Sequence, residues 1–182
     1  FFDGPVDHLM AMPILTDYIK KKYGNQPLAV VSPDAGRIKV AEKWSARLDG
    51  APLAFIHKTR RTDVANEVVA NRVVGEVAGK ICVLTDDMID TGGTIVKAAE
   101  ACMADGAKGV VIVATHAILS DPAVERLKGS TAVEVVVTDT LPIPEEKQFD
   151  KLTVLSIAPL LARAIHEVFS DGSVTTMFDG MA

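Results

Sequence analysis

Two adjacent carboxylates and a glycine-rich turn stand close together in the stretch "VLTDDMIDTGGTI", residues 83–95. Asp86 and Asp87 follow a short apolar run, and "DTGGT" at 90–94 opens a segment with helical periodicity. A turn of this composition at a helix start presents unpaired backbone N–H groups, and its glycines let an anion come close to them. The carboxylates would repel that anion, but they can accept hydrogen bonds from neighbouring hydroxyls or hold a cation. The combination is typical of a site for a sugar phosphate with a free diol.

The same residues have a plainer interpretation. Aspartates before a helix are often only an N-cap followed by a solvated acidic turn. The strand, the acidic pair and the Thr-Gly-Gly-Thr turn together favour the anion site over that alternative. The turn is neither a Walker A loop nor a dinucleotide-binding fingerprint, because the chain contains no G-x-x-x-x-G-K-[ST] and no G-x-G-x-x-G pattern.

The rest of the chain predicts the scaffold that must position these residues. Segments such as "VVIVA" and "VEVVV" are almost continuously apolar, which is typical of strands covered on both faces. Their alternation with amphipathic segments predicts an α/β fold, a mostly parallel sheet with helices on both faces. Ligands in such sheets bind at the carboxyl ends of the strands. The pattern therefore places the chemistry at residues 32–36, 57–61, 86–94 and 115–116.

Several element boundaries follow from the same patterns. The periodicity predicts a helix from about His8 to Tyr23, with Pro13 as a possible kink, and another from about 93 to 104. "VVGEVAGKICVLT" is interpreted as a hairpin or a pair of strands with turns at Gly75 and Gly79. The second of these strands is expected to end on the two adjacent carboxylates.

Composition limits the class of protein. The 182 residues suit one domain, and the formal charge of −5 gives no reason to expect nucleic-acid binding. No apolar run approaches the roughly 18 residues of a membrane span, so we expect no membrane association. Cys82 and Cys102 lack metal-ligand spacing and are interpreted as buried thiols in a reducing compartment, which predicts a cytoplasmic protein.

Six segments together resemble the ribose-phosphate diphosphokinases (PRPP synthetases), which have the type I phosphoribosyltransferase fold. They are "FFDGPVDHL", "VVSPDAG", "FIHKTR", "DDMIDTGGT", "ATHAILS" and "SVTTMF", in that family's order. The resemblance covers essentially the whole chain but only the C-terminal part of the usual one. It implies one domain, residues 1–182, of a longer chain whose N-terminal domain is absent here. It also implies homo-oligomers, dimers that assemble into a hexamer.

The resemblance implies a reaction and two sets of residues. The family transfers the diphosphoryl group of ATP to the C1 hydroxyl of ribose 5-phosphate, forming 5-phosphoribosyl 1-diphosphate and AMP. Lys58 and Arg60 match the basic pair of the family's catalytic loop. Ribose 5-phosphate would be bound by the acidic pair and the turn that follows it: Asp86, Asp87, Asp90, Thr91, Gly92, Gly93 and Thr94.

Further positions match the family's nucleotide and metal site. Asp34 aligns with a carboxylate that helps to bind Mg²⁺, and Asp7, Ser32 and Gly36 would lie near the nucleotide or diphosphate. The ATP site of the present chain is expected to be incomplete, because the family's upstream half supplies much of it. Three residues stay unassigned: Arg37, which replaces the usual second glycine of its segment, Arg61, and His116, for which a structural role is favoured.

Two other functions remain open at this point. One is a phosphoribosyltransferase that consumes PRPP, against which the first three of the six segments argue. The other is a non-catalytic regulatory homologue that keeps the fold. Such a homologue should have lost the basic pair or the acidic pair, and both are present in this sequence.

Overall fold

One seven-stranded sheet forms the centre of the molecule. The computed structural model describes residues 3–4, 6–59 and 70–178, and at residues 58, 59, 70 and 71 it describes the backbone alone. The strands in the described part are β1 (Leu28–Ser32), β2 (Leu53–Thr59), β3 (Ala70–Val74), β4 (Ile81–Ile89), β5 (Gly109–Ala117), β6 (Glu134–Thr138) and β7 (Leu152–Leu155). Their order across the sheet is β3-β2-β1-β4-β5-β6-β7. All neighbours are parallel except β2 and β3.

Helices cover both faces of this sheet. They are α1 (Met12–Tyr23), α2 (Ile38–Arg47), α3 (Gly93–Ala104), α4 (Ala123–Gly129) and α5 (Ala158–Phe169), with 3₁₀ turns at Ala35–Arg37, Glu145–Lys147 and Val174–Phe178. Side chains of α3 and α4 pack into one hydrophobic cluster, and those of α1 and α2 pack into another. In the described part of the chain, no helix is both long and apolar enough to cross a membrane.

The strands supply the two clusters alternately, as the period of a β-strand requires. In β1, Ala29 and Val31 belong to the α3 side, whereas Val30 between them belongs to the α1 side. Because every strand residue in the middle of the sheet is buried by one face or the other, the strands are apolar throughout. The expected parallel sheet with helices on both faces is confirmed. The thiols of Cys82 and Cys102 are both buried, also as expected.

The direction in which successive strands are added to the sheet reverses between β1 and β4. From β1 the chain builds outward to β2 and β3, and then returns to place β4 on the other side of β1. Pairing with β4 runs only as far as Val31 opposite Leu84. Beyond that point β4 has a neighbour on one side only, so its outer half borders an open crevice. Crevices at such reversals are where parallel α/β sheets bind ligands.

Strand β4 does not end on the two carboxylates, and this expectation was wrong. It continues through Asp86 and Asp87 to Ile89, because β5 is equally long and keeps pairing with it as far as Ala117 opposite Ile89. The two aspartates are therefore held by a regular ladder. The carboxylates gain a fixed backbone that a turn would not have supplied.

Two other elements differ from the predictions, and one choice that the sequence left open is decided. Helix α1 begins at Met12 and Pro13 lies in its first turn, where no N–H is needed, so the segment from His8 is not helical and Pro13 makes no kink. Strands β3 and β4 are two strands but not a hairpin, since β3 pairs antiparallel with β2 at the sheet edge. Strand β7 was missed because its four residues carry too short a pattern.

Candidate functional site

A cavity of about 350 Å³ opens at the carboxyl ends of β1 and β4. Asp34 and Arg37, which follow β1, form one wall. Residues 86–95, from the end of β4 into α3, form the other. The structure thus brings the acidic pair, the glycine-rich turn and the "SPDAG" segment to one place, where the sequence predicted that they would meet.

The glycine-rich turn ends directly on the first residue of α3. Gly92 is the N-cap with φ 72° and ψ −5°, and no side chain caps the helix start. The first helical bond joins Val96 N–H to the Gly92 carbonyl at 3.1 Å. The backbone N–H groups of the first turn consequently have no acceptor within the helix, and the helix dipole adds positive potential there. This arrangement can bind an anion such as a phosphate.

Glycine is needed at position 92 for its backbone conformation. A side chain at φ near +70° costs about 1–2 kcal/mol, whereas glycine adopts it freely. A Cβ at this position would lie 3.6 Å from the Cα of Ala123 in α4, so the turn also packs closely on that helix. Thr91 and Thr94 flank the turn, are exposed, and line the cavity.

Arg37 links the two carboxylates of β4. Its Nη2 donates to Oδ2 of Asp87 at 2.7 Å, and its Nε lies 3.4 Å from Oδ1 of Asp86. Two backbone groups hold the same carboxylates: Asp87 N–H donates to Asp86, and Met88 N–H donates to Asp87.

The two carboxylates differ in their pKa values. Burial is the main cause that raises the pKa of Asp86 to about 6. Burial acts on Asp87 in the same direction, but the hydrogen bonds from Arg37 and Asp86 outweigh it, and the pKa of Asp87 is lowered. The difference agrees with exposure, since 19% of the Asp86 side chain and 43% of the Asp87 side chain are exposed. Because its pKa is the higher of the two, Asp86 is the first of the pair to be protonated as the pH falls.

Asp34 organises the turn after β1. Its Oδ1 accepts from Gly36 N–H at 2.8 Å, and its carbonyl accepts from the Ser32 hydroxyl at 2.6 Å. Ser32 is buried, so both candidate diphosphate donors of this segment already have an acceptor within the turn. Asp34 itself lines the cavity. Asp7 is exposed and does not line it.

The predicted basic pair can be placed only in part. Lys58 is in β2 with its backbone opposite Asn71, one residue before the carboxyl end of the strand. The carboxyl end of β2 points to the side where the cavity opens, because β2 runs parallel to β1. The side chain of Lys58, and the whole of Arg60 and Arg61, lie outside the described residues.

A second cavity of about 240 Å³ adjoins the first and is lined mainly by apolar residues. Trp44 of α2 and residues 9–12 form much of its wall, and Arg37 borders both cavities. His116 lies at its edge with Nδ1 2.9 Å from the Thr140 hydroxyl. The structural role favoured for His116 stays a prediction.

Residues 60–179 match the family described as phosphoribosyl synthetase-associated domain, which is most of the chain. The chain belongs to this family. Members of the family with curated names resemble it over its whole length.

The ribose-phosphate pyrophosphokinase of Corynebacterium efficiens is 65% identical over 182 residues, which are 100% of this chain and 56% of the relative. That of Bifidobacterium longum is 65% identical over 181 residues, 98% of this chain and 53% of the relative. The chain therefore spans about half the length of the curated relatives that it matches.

Solved structures confirm the fold. The crystal structure of phosphoribosylpyrophosphate synthetase from Mycobacterium smegmatis has a TM-score of 0.86 at 59% identity, over 94% of this chain and 54% of that one. An APRTase from Giardia lamblia, in complex with 9-deazaadenine, has a TM-score of 0.51 at 17% identity, over 70% of this chain and 77% of that one. The second likeness concerns the fold alone. The predicted phosphoribosyltransferase-like fold is therefore correct.

Sequence reasoning missed two arginines: Arg37, which lines the cavity, and Arg126, which contacts the glycine-rich turn. Arg37 was left unassigned. It follows β1, and Asp86 and Asp87 lie near the end of β4, so the three charges come close together because β1 and β4 are neighbours in the sheet. Arg126 of α4 was not considered, and its Nη1 donates to the Thr91 carbonyl at 3.0 Å. The long sequence separation between Arg126 and Thr91 leaves no local signal for their contact.

Proposed function

We propose that this chain is the sugar-phosphate-binding part of a ribose-phosphate diphosphokinase. The reaction transfers the diphosphoryl group of ATP to the C1 hydroxyl of ribose 5-phosphate and yields 5-phosphoribosyl 1-diphosphate and AMP. The observation that carries the proposal is the uncapped start of α3 beside a pair of carboxylates in one cavity. The high identity to curated ribose-phosphate pyrophosphokinases supports it.

The turn would bind the 5-phosphate of the sugar. Backbone N–H groups at residues 92–94 and the hydroxyls of Thr91 and Thr94 supply the donors, and the exposed Asp90 borders the site. Asp86 and Asp87 would accept hydrogen bonds from the ribose 2- and 3-hydroxyls. Their carboxylates repel the phosphate, which favours one orientation of the ligand over the reverse.

The transfer itself requires cations near the transferred group. In-line displacement at a phosphoryl group depends on positioning and on neutralisation of charge, with little need for covalent help. We assign this role to Lys58 and Arg60. Two cations that engage the transferred group in the transition state lower its barrier by several kcal/mol, on the order of 3–4 kcal/mol per strong electrostatic contact.

Mg²⁺ is the expected cofactor. It is usually bound by one or two carboxylates together with substrate phosphates and water. Asp34 fits such a site, because it lines the cavity that would hold the phosphates and one of its oxygens has no donor among the described residues. Bound there, Mg²⁺ would neutralise charge on the diphosphate oxygens. Ser32 and Gly36 would shape the backbone that positions Asp34, and Asp7 stays a weaker nucleotide candidate.

The curated relatives extend well beyond the part that this chain matches. We therefore propose that ATP binding and oligomer assembly need residues that this chain does not supply. The chain alone is expected to bind ribose 5-phosphate and to turn over poorly. A coupled assay of AMP release, compared between this chain and a full-length relative, tests that expectation.

Calorimetric titration of this chain with three ligands tests the assignment of the sugar-phosphate site. Ribose 5-phosphate should bind at least ten-fold more tightly than inorganic phosphate or 2-deoxyribose 5-phosphate, because only the first satisfies both the turn and the carboxylates. Asp87→Asn should reduce that preference and leave phosphate affinity nearly unchanged. Equal affinities for the three ligands would refute the assignment of the carboxylates to the diol.

Activity assays with a full-length relative separate the rival functions. Incubation with ATP and ribose 5-phosphate should yield AMP, whereas PRPP with nucleobases should yield nothing. The reverse result would identify a phosphoribosyltransferase. Lys58→Ala should abolish most turnover with little effect on sugar affinity, and binding without any turnover in the parent enzyme would identify a regulatory homologue.

A further inference from the structure

Helix α4 lies directly under the anion-binding turn. Gly92 packs on Ala123, where a Cβ built on the glycine would lie 3.7 Å from the alanine Cβ. One helical turn further, Arg126 reaches the same loop, and its Nη1 donates to the Thr91 carbonyl at 3.0 Å. The same Nη1 would lie 3.3 Å from a Cβ on Gly93. The guanidinium therefore binds the Thr91 carbonyl and leaves little room for a side chain at position 93.

The hydrogen bond to Thr91 fixes the direction of a peptide group. In a trans peptide the C=O of one residue and the N–H of the next point in opposite directions. When Arg126 holds the Thr91 carbonyl toward α4, the Gly92 N–H must point away from α4. Thr91, Gly92 and Gly93 all line the cavity, so that direction suits an anion within it.

Arg126 also differs in charge balance from the other cations of its helix. Lys128 pairs with Glu125 at 3.0 Å. Among the described residues the Arg126 side chain has no carboxylate partner, and its only hydrogen bond there is the one to the Thr91 carbonyl. No described carboxylate therefore neutralises this positive charge. It lies beside the turn, where the dipole of α3 also contributes a positive potential.

We propose that Arg126 is a positioning residue for the anion-binding turn. It holds the Thr91 carbonyl away from the anion, turns the Gly92 N–H toward it, and adds an unneutralised charge beneath the site. The inference builds on the anion site of the proposed function, but the effect on the turn exists without any ligand.

Two measurements on the whole chain test the proposal. Hydrogen exchange without ligand reports the amide of Val96, whose hydrogen bond to the Gly92 carbonyl closes the turn, and calorimetry at low salt reports binding of inorganic phosphate. Arg126→Gln should speed exchange in the turn several-fold and weaken phosphate binding about ten-fold. Lys128→Gln is the matched control, because it removes the same charge from the same helix and should change neither quantity.

Salt separates the two contributions of Arg126. Raising the ionic strength screens the charge of an exposed arginine, so the difference in phosphate affinity should shrink. The difference in exchange should persist, because it arises from a hydrogen bond. Arg126→Lys keeps the charge but cannot reproduce the planar donor, and we expect fast exchange with a smaller loss of affinity.

Each possible result either supports or contradicts the positioning role of Arg126. Unchanged exchange in Arg126→Gln would overturn the positioning role, and an equal effect of Lys128→Gln would reduce it to bulk charge. If Arg126→Gln fails to fold by circular dichroism, the comparison of Arg126→Lys with the parent chain takes its place. If the parent chain binds no phosphate or ribose 5-phosphate, the proposed function fails, while the exchange data still settle the role of Arg126.

Discussion

The Nη2 atom of Arg37 lies 2.7 Å from Oδ2 of Asp87. The same guanidinium extends to Asp86, so one cation at the end of β1 serves both carboxylates at the end of β4. Two neighbouring carboxylates repel each other, and a shared cation reduces that repulsion while it fixes their directions. Arg37 thereby prepares the pair to accept hydrogen bonds from a ligand.

Replacement of Arg37 should therefore weaken sugar recognition. In Arg37→Gln the carboxylates lose their shared cation, the pKa of Asp87 rises, and both side chains gain rotational freedom. We expect ribose 5-phosphate to bind about ten-fold more weakly, which corresponds to roughly 1.4 kcal/mol. Calorimetry at pH 7 measures this loss.

Lys39→Gln is the control for charge at Arg37. Lys39 is exposed in the first turn of α2, and its side chain makes no hydrogen bond or ion pair with another described residue. Its replacement removes one positive charge without touching the carboxylates. A comparable loss in both variants would mean that Arg37 acts through net charge rather than through its contacts.

Asp86 is expected to make the protein less stable at neutral pH. Its pKa is raised to about 6, so the folded state favours the protonated form more strongly than the unfolded chain does. Its stabilising effect is complete below pH 4 and is lost as the pH rises through 6. Asp86→Asn should thus raise the free energy of unfolding by about 2 kcal/mol at pH 8 and by nearly nothing at pH 4.

Denaturant unfolding at several pH values measures this difference. The variant should at the same time bind ribose 5-phosphate more weakly, because an amide cannot accept two hydrogen bonds as a carboxylate does. Greater stability with poorer binding is the signature of a residue kept for its function. A variant that is less stable at pH 8 would contradict the raised pKa.

Local and nearest-neighbour patterns explain which features the sequence predicted. Helix α3 was predicted at its observed limits, because a glycine-rich turn precedes it and its apolar spacing is regular. The position of the cavity followed from the rule for parallel sheets. The continuation of β4 through Asp86 and Asp87 did not, since polar residues end a strand unless a long neighbour such as β5 keeps pairing with them.

Contacts between distant segments explain what the sequence did not show. Arg37 and Asp87, like Arg126 and Thr91, meet only because the strand order is β2-β1-β4-β5. No periodicity in a single chain specifies that order. The Lys58 side chain and Arg60 lie outside the described residues, so their role in the transfer stays a prediction.

Two glycines with the same backbone conformation separate stability from binding. Gly92 has φ 72° in the anion-binding turn, and Gly79 has φ 70° with open space around its Cβ position. Alanine at either site should cost about 1 kcal/mol through backbone strain, a fall in melting temperature of about 2–4 °C. Only Gly92→Ala should also weaken binding of inorganic phosphate, which calorimetry would reveal. Loss of phosphate binding in Gly79→Ala would show that strain alone disturbs the site.

Glu134 stabilises the fold at the amino ends of the strands, whereas the cavity opens at their carboxyl ends. It begins β6 with its side chain only 5% exposed, and its carboxylate accepts from Tyr18, Lys22, Tyr23 and Thr153 at 2.5–2.8 Å. Burial would raise the pKa of Glu134, but these donors outweigh it, so the pKa is lowered.

The lowered pKa of Glu134 fixes the sign of its pH dependence. The contribution of a carboxylate whose pKa is lowered by folding is present above its unfolded value of about 4.3 and is lost as the pH falls through the folded value. Glu134→Gln should therefore lower the free energy of unfolding by about 2 kcal/mol at pH 7, and the difference from the parent should shrink toward pH 3. Urea unfolding across this range measures it. Affinity for ribose 5-phosphate should stay unchanged, because the network lies at the amino ends of the strands. A loss of affinity would show that the two ends of the strands are energetically coupled.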